Sequence, residues 1–261
     1  VSGVIGGGLY LVALYLESIA GMLTGLMMVV VLKGAFHLAH LGQPSRFWRL
    51  FLKPGRSWLA RGLLCVALFM VFATLQLIFS YWFAANGADP FFKVSSGILA
   101  LFVIAYSGFV MNYVRGIPFW NSALLPLLFI AFGILGGLAL MLLIGPAALR
   151  SASVSATPYS LCVTACLLAL YVCSAPYVGP AAKRSVKDLI QGDLALPFWI
   201  GVVLCGVVLP AVIMLYMYLA SQTPMPLMMA TAFGILVGAF SFTYCLLKAG
   251  LYRPLAPIST H

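Results

Sequence analysis

The sequence predicts an all-α integral membrane protein with eight transmembrane helices. Of its 261 residues, 64% are hydrophobic and 7% are charged, whereas soluble domains carry about 25% charged residues. The mean hydropathy is +1.14. The apolar residues form separate runs of about 20, the length that crosses a ~30 Å hydrocarbon layer as helix, whereas the strands of a membrane barrel would be segments of ~10 alternating residues.

Clusters of polar residues, glycine and proline separate eight candidate helices. They cover residues 3–16, 19–41, 58–84, 95–114, 121–145, 158–179, 196–220 and 225–249. The first run has no basic segment before it and no small-residue cleavage site after it, so we expect a spanning helix rather than a signal peptide. Two loops, 42–58 and 178–199, each combine proline, basic residues and aromatics. They suggest two four-helix bundles, residues 1–115 and 116–261.

The charge of the protein is strongly asymmetric. Fourteen Lys and Arg residues oppose four acids, which gives a net charge of +10. In the predicted topology eleven basic residues fall on one side of the membrane and only Lys93 and Arg150 on the other. Taken alone, the positive-inside rule places the eleven in the cytoplasm. Loop charges of this kind favour lipid headgroups and an acidic partner; nucleic acid is not expected as a partner of a protein that is nearly all membrane.

The six cysteines lie in apolar runs, where they act as small hydrophobes.

Three ionisable residues follow one face of the second predicted helix. Lys33, His37 and His40 are spaced i, i+4 and i+7, so they form a polar stripe that leads inward from one surface. Ionisable groups inside spans are costly and usually functional, and histidine exchanges protons near neutral pH. The structural alternatives are a lysine that snorkels to the interface and histidines that anchor the membrane edge.

The fourth predicted helix adds Tyr106, Asn112 and Tyr113. The two tyrosines are seven residues apart and face the same way. Interfacial packing is the alternative role for both rings.

Two other chemistries receive little support from the sequence. A membrane haem usually takes axial histidines from facing helices, but His37 and His40 share one helix and His261 is at the tail, so no haem is expected. Proton-coupled transporters generally keep carboxylates near the midplane, and here only Glu17 comes near a span, at its end.

Four segments carry a resemblance to a known family. They are HLAHLGQPSRFW (37–48), KPGRSWLARG (53–62), YSGFVMNYVRGIPFWNSALLPLLF (106–129) and KAGLYRPL (248–255). Over nearly its whole length the sequence resembles the membrane subunits of the NrfD and polysulfide-reductase type, which are related to the anchors of dimethyl-sulfoxide-reductase-like molybdoenzymes.

The resemblance implies a haem-free protein of two four-helix bundles in the prokaryotic cytoplasmic (inner) membrane. Such a subunit exchanges electrons between menaquinol or ubiquinol and a ferredoxin-like iron-sulfur subunit, which serves a catalytic subunit, often of molybdopterin type. The quinone pocket is expected in the first bundle. The iron-sulfur subunit is expected to dock on the basic loop 43–57, and because docking would cover those charges they need not report the topology. A pure membrane anchor and a proton-coupled transporter or channel remain alternative functions.

Carried over by motif, the histidine of the second helix falls on His40, and the tyrosine of the Y-S-G piece falls on Tyr106. Some relatives have a carboxylate near the start of the third helix, where this sequence has Arg61 in SWLARG and no acid. That absence gives the histidines more weight as proton-exchanging groups, with His40 as the partner of one quinone oxygen. The complete expected site is Lys33, His37, His40, Arg61, Tyr106, Asn112 and Tyr113.

Overall fold

The computed structural model describes residues 1–39, 58–82 and 89–253, which form helices joined by short connections. The α-helices are α1 Ser2–Tyr15, α2 Ile19–Met27, α3 Gly34–Ala39, α4 Trp58–Trp82, α5 Asp89–Tyr113, α6 Leu124–Ile144, α7 Ala147–Ser174, α8 Pro180–Gln191, α9 Leu209–Ala220 and α10 Met225–Lys248. A first π segment, Met28–Lys33, joins α2 to α3, and a second, Pro197–Val208, leads into α9.

Seven of the described segments are long and apolar enough to cross a membrane. They are Ile19–Phe36, Ala60–Tyr81, Asp89–Tyr113, Leu124–Ile144, Ala147–Val178, Pro197–Ala220 and Met225–Lys248. The remaining predicted span corresponds to α1, which has 14 residues and extends about 21 Å. The all-helical membrane class is confirmed with seven candidate spans, and the eighth span and the division into two four-helix bundles stay predictions.

Helix α7 begins at Ala147, eleven residues before the predicted start at 158. The polar stretch before Pro158 suggests a loop, but its hydroxyls are satisfied within the helix. Ser153 donates to the carbonyl of Leu149 at 2.9 Å, and Thr157 donates to the carbonyl of Ser153 at 2.7 Å. Such bonds to the preceding turn let serine and threonine continue a helix in an apolar environment.

Helix α8 occupies part of the second basic loop, where the sequence patterns predict no helix. Ala182, Val186 and Leu189 are buried, while Lys183 and Lys187 are exposed. This i, i+4 alternation is that of an amphipathic helix. Helix α8 packs against two short 3₁₀ turns, Pro118–Trp120 before α6 and Ala175–Val178 after α7. Its 12 residues are too few to span a bilayer, so it lacks the long apolar run that predicts a transmembrane helix.

Helix α1 is the centre of the first half because its glycines allow very close packing. A Cβ on Gly8 would overlap the backbone carbonyl of Gly133 in α6, and a Cβ on Gly137 would meet the backbone of Gly8. Small residues of this kind let membrane helices approach backbone to backbone. Helix α6 in turn contacts α5, α7 and α10, so it links the two halves of the sequence.

A series of buried hydrogen bonds joins α1 to α4 and α5. The Tyr10 hydroxyl donates to Oε1 of Gln76 at 3.0 Å, and Nε2 of Gln76 donates to Oγ of Ser80 at 2.9 Å. Ser80 donates to a carboxylate oxygen of Asp89. Tyr10 and Gln76 are fully buried, and buried polar groups of this kind are costly unless they are paired. The network therefore holds the three helices in one register.

Ion pairs continue this network at the membrane edge. Lys93 lies 2.9 Å from Asp89 and 3.4 Å from Glu17. Glu17 belongs to the turn between α1 and α2, so the lysine ties that turn to α5. This end of the helices, which also carries Arg150, is called the opposite end below. The end that carries Arg115, α8 and Lys248 is called the basic end.

Replacement of Gly8 by alanine is expected to destabilise the protein by about 3 kcal/mol, because the added methyl forces α1 away from α6. The matched control is Gly34→Ala, since a Cβ at Gly34 meets nothing within 4 Å. Alanine is the better helix former, so the control should unfold at the wild-type temperature or slightly above it. Thermal unfolding in detergent, followed by circular dichroism, measures both variants. Equal stability of the two would contradict the close-packing argument.

Candidate functional site

Lys33 places a positive charge inside the helix assembly. It is the last residue of the first π segment, and π segments are frequent at functional sites. Its Nζ atom is buried and has no hydrogen-bond partner among the described residues. One neighbour is aromatic: Nζ lies 5.4 Å from the ring centroid of Tyr106. A cation and a ring at this separation attract each other, but the ring accepts no ordinary hydrogen bond from the ammonium.

Two glycines create the space that Lys33 and Tyr106 occupy. A Cβ on Gly3 of α1 would overlap the Lys33 side chain, and a Cβ on Gly62 of α4 would overlap the Tyr106 ring. Four helical segments therefore meet here: α1, the first π segment, α4 and α5. Gly62 closes the S-W-L-A-R-G motif, and the glycine-rich start of α1 is the available signal for Gly3, although neither is among the site residues that the sequence predicts.

The Y-S-G motif of α5 contacts two neighbouring helices, α4 and α6. Tyr106, half-buried, faces Gly62 on α4, whereas a Cβ on Gly108 would lie 2.5 Å from the backbone of Pro126 in α6. The close contact at Gly108 fixes α5 against α6. It thereby sets the height at which Tyr106 meets Lys33.

Arg61 and Tyr113 both lie beside Trp58, the first residue of α4. The Arg61 guanidinium carbon is 4.9 Å from the ring centroid of Trp58, and the Tyr113 centroid is 6.1 Å from the same ring. Phe109 also stacks on Trp58, with 5.9 Å between the ring centroids. Arg61 and Tyr113 are exposed, and Asn112 is half-buried. Arg61 and Tyr113 therefore flank the Trp58 ring, where the start of α4 meets the end of α5.

The two histidines are placed only in part. His37 lies in α3, one turn beyond Lys33, and its side chain is outside the described residues, as is His40 with the whole of loop 43–57. Their roles stay predictions. Within the ranges 1–39, 58–82 and 89–253, no group of three or more His, Cys, Asp or Glu side chains could hold a metal ion.

Comparison with known proteins assigns the protein to a family. Residues 12–255 match the family model described as "Polysulphide reductase, NrfD". The chain belongs to the NrfD family. The resemblance found in the four sequence motifs is thereby confirmed.

Two relatives show how similar in sequence this chain is to known proteins of the NrfD family. The C chain of polysulfide reductase from Wolinella succinogenes (strain ATCC 29543) is 29% identical over 167 residues, which cover 60% of this chain and 53% of the relative. Protein NrfD of Escherichia coli (strain K12) is 26% identical over 242 residues, which cover 81% of this chain and 76% of the relative. The match therefore spans about half the length of the first relative and three quarters of the second.

Two of the NrfD-like motifs contact each other at the basic end. The indole Nε1 of Trp120 donates to the carbonyl of Leu246 at 2.8 Å, and a Cβ on Gly250 would lie 2.7 Å from the Trp120 ring. The amide of Arg253 donates to the carbonyl of Gly116 at 2.9 Å. The G-I-P-F-W piece and residues 248–253 thus form one structural unit. They lie in the second half of the sequence, away from Lys33.

The buried charge of Lys33 should lower stability, so Lys33→Met is expected to raise the free energy of unfolding by about 1–3 kcal/mol, because it removes an unpaired buried cation. The control is Lys93→Met, which removes the same charge from two partly exposed ion pairs. That change should lower the free energy of unfolding by up to about 1 kcal/mol. Thermal unfolding of both variants measures the difference, and destabilisation by Lys33→Met would contradict an uncompensated charge.

Proposed function

We propose that this protein is the quinone-reactive membrane subunit of a respiratory oxidoreductase complex. In that role it exchanges electrons between menaquinone or ubiquinone and an iron-sulfur subunit, which serves a catalytic subunit of molybdopterin type. Membership of the NrfD family and similarity to a protein named as part of a polysulfide reductase support the class of complex. The single observation that carries the quinone role is the buried Nζ of Lys33 beside Tyr106, which has no hydrogen-bond partner in the part of the chain that the structure describes.

The described residues fit a quinone head group. Its two oxygens accept hydrogen bonds, and Lys33 and Tyr106 offer an N–H and an O–H donor at one place. A hydrogen bond to the Lys33 ammonium would satisfy the atom that lacks a partner, and charge-assisted bonds of this kind are the strong ones. When bound, the quinone supplies the two-electron redox chemistry. The protein binds it, orients it and gives it access to protons.

His40 is the proposed proton donor or acceptor for one quinone oxygen, with His37 completing a path toward the basic end. From Lys33 to His40 a continuous helix would rise about 10 Å. The acids of the described residues lie elsewhere: Glu17 and Asp89 are paired with Lys93 at the opposite end, and Asp188 and Asp193 lie in or just after α8. Histidine is therefore the suitable proton-exchanging group near Lys33.

Tyr106→Phe is expected to lower quinol-linked turnover about tenfold, because it removes one hydrogen bond to the quinone and leaves the ring in place against Gly62. The matched control is Tyr159→Phe on α7, where the tyrosine is 76% exposed. Turnover of the complex with a quinol and with an artificial water-soluble donor is measured in parallel. The quinol rate alone should fall in the Tyr106 variant. An unchanged quinol rate in Tyr106→Phe would remove this residue from the site.

His40→Ala is expected to abolish quinol-linked turnover, while the assembled complex still reacts with artificial donors. His261→Ala is the control, since it removes the remaining histidine outside the 37–40 stretch and should leave both rates unchanged. Full quinol activity in His40→Ala would rule out the proposed proton role. No effect of His40 or Tyr106 substitutions, together with no bound quinone, would instead favour a pure anchor. Proton flux through liposomes containing this protein alone would favour a transporter or channel.

The basic end is the proposed docking surface of the iron-sulfur subunit. Exposed cations of the described residues there include Arg115, Lys183, Arg184, Lys187, Lys248 and Arg253. Loop 43–57 adds Arg46, Arg49, Lys53 and Arg56, and complementary charge steers such an encounter.

Neutralising the four basic residues of loop 43–57 with glutamine is expected to weaken binding of the iron-sulfur subunit about tenfold at low salt, and less at high salt, because ions screen the attraction. The control neutralises Lys183, Arg184 and Lys187 on α8, which removes charge from the same end but not from the loop. Co-purification across a salt series measures both. Equal losses would indicate general attraction by the basic end rather than docking on the loop.

A further inference from the structure

A groove of about 860 Å³ separates α7 from the second π segment and α9. On α7 it follows the stripe Val154, Pro158, Leu161 and Ala165, and Ala211 and Met214 face that stripe from α9. The stretch from Val154 to Ala165 extends about 16 Å along the helix. The groove is mainly apolar and lies between two candidate spans. Its size and position suit a hydrocarbon tail that runs parallel to the helices.

Arg150 lies just before this groove on α7 and is not among the residues that line it. It lies one turn before Val154 on the same stripe of α7, and its Nη1 is 3.5 Å from Sδ of Met225, the first residue of α10. Its Nε is buried and has no hydrogen-bond partner within residues 1–39, 58–82 and 89–253. Among the described residues the ion pairs of the opposite end join Lys93 to Glu17 and Asp89, and none includes Arg150.

The surroundings of Arg150 add to its positive charge. It is the fourth residue of α7, and its guanidinium reaches the first residue of α10, so two helix N-termini with positive dipole ends converge on it. An uncompensated cation in this position favours an anion from outside the protein.

The depth of Arg150 identifies that anion. Helix α7 has 28 residues, or about 42 Å, which exceeds the ~30 Å hydrocarbon layer and approaches the thickness of a bilayer with its headgroups. The first turn of α7 therefore lies among lipid phosphates, and the groove begins one turn deeper. We propose that an anionic phospholipid binds here, with its phosphate at Arg150 and one acyl tail in the groove. A lipid with a cationic choline or ethanolamine headgroup is disfavoured, because it would bring a second positive charge to a site that already has an excess.

The test uses the protein, with its partner subunits where they co-purify, in nanodiscs of equal parts phosphatidylglycerol and phosphatidylcholine. Native mass spectrometry after mild detergent release counts the lipids retained. The wild type should retain one phosphatidylglycerol with about tenfold preference over phosphatidylcholine, and Arg150→Gln should lose that preference. The control Arg115→Gln removes the same charge at the basic end. This variant should keep the wild-type preference for phosphatidylglycerol.

A second variant tests the groove independently of the charge. Ala211→Phe fills the groove and should reduce retention of both lipids, whereas Ala169→Phe, at an exposed position of α7 outside it, should not. Size-exclusion chromatography and helical circular dichroism check that each variant folds. If one variant fails to fold, the lipid preference of the wild type still tests the proposal. Retention of no lipid, unchanged preference in Arg150→Gln, or a quinone or a second copy of the protein in the groove would overturn the proposal.

Discussion

The backbone contact between α1 and α6 is the constraint on which the rest of the first half depends. At Gly8 and Gly137 the two helices approach so closely that a methyl group would collide with backbone atoms. Helix α1 also packs closely on α2, since a Cβ on Gly6 would lie 3.0 Å from the carbonyl oxygen of Gly25. Lipid tails give no hydrophobic drive for helices to associate, so close van der Waals packing and buried hydrogen bonds must hold α1 in place.

The position of α1 decides where the buried cation lies. Gly3 provides room for the Lys33 side chain, and Tyr10, two turns further on, is held by Gln76 of α4. The helix is thus fixed at both ends relative to α4 and the first π segment. A lysine placed without an anion in such a rigid assembly lowers stability, and the retention of costly charges inside membranes is usually explained by function.

Three cations, Lys33, Lys93 and Arg150, fall into two kinds. Lys93 is compensated by Glu17 and Asp89, and its role is structural. Lys33 and Arg150 each have a buried nitrogen for which the described residues provide no hydrogen-bond partner. A quinone oxygen is the proposed partner of Lys33, and a lipid phosphate is the proposed partner of Arg150. Both ligands enter sideways from the bilayer, whereas the iron-sulfur subunit is proposed to approach the basic end from water.

The sequence by itself determined the membrane class, the family and most of the spans, because hydrophobicity over 20 residues and short motifs are local properties. It also placed Lys33 and Tyr106 among the predicted site residues. Tertiary structure decided that these two meet, that Arg61 and Tyr113 instead gather on Trp58, and that α8 is a helix. Those outcomes depend on the heights along the membrane normal at which helices far apart in the sequence contact each other. The heights are set by glycine contacts between residues more than a hundred positions apart, such as Gly8 and Gly133, and no local pattern contains that information.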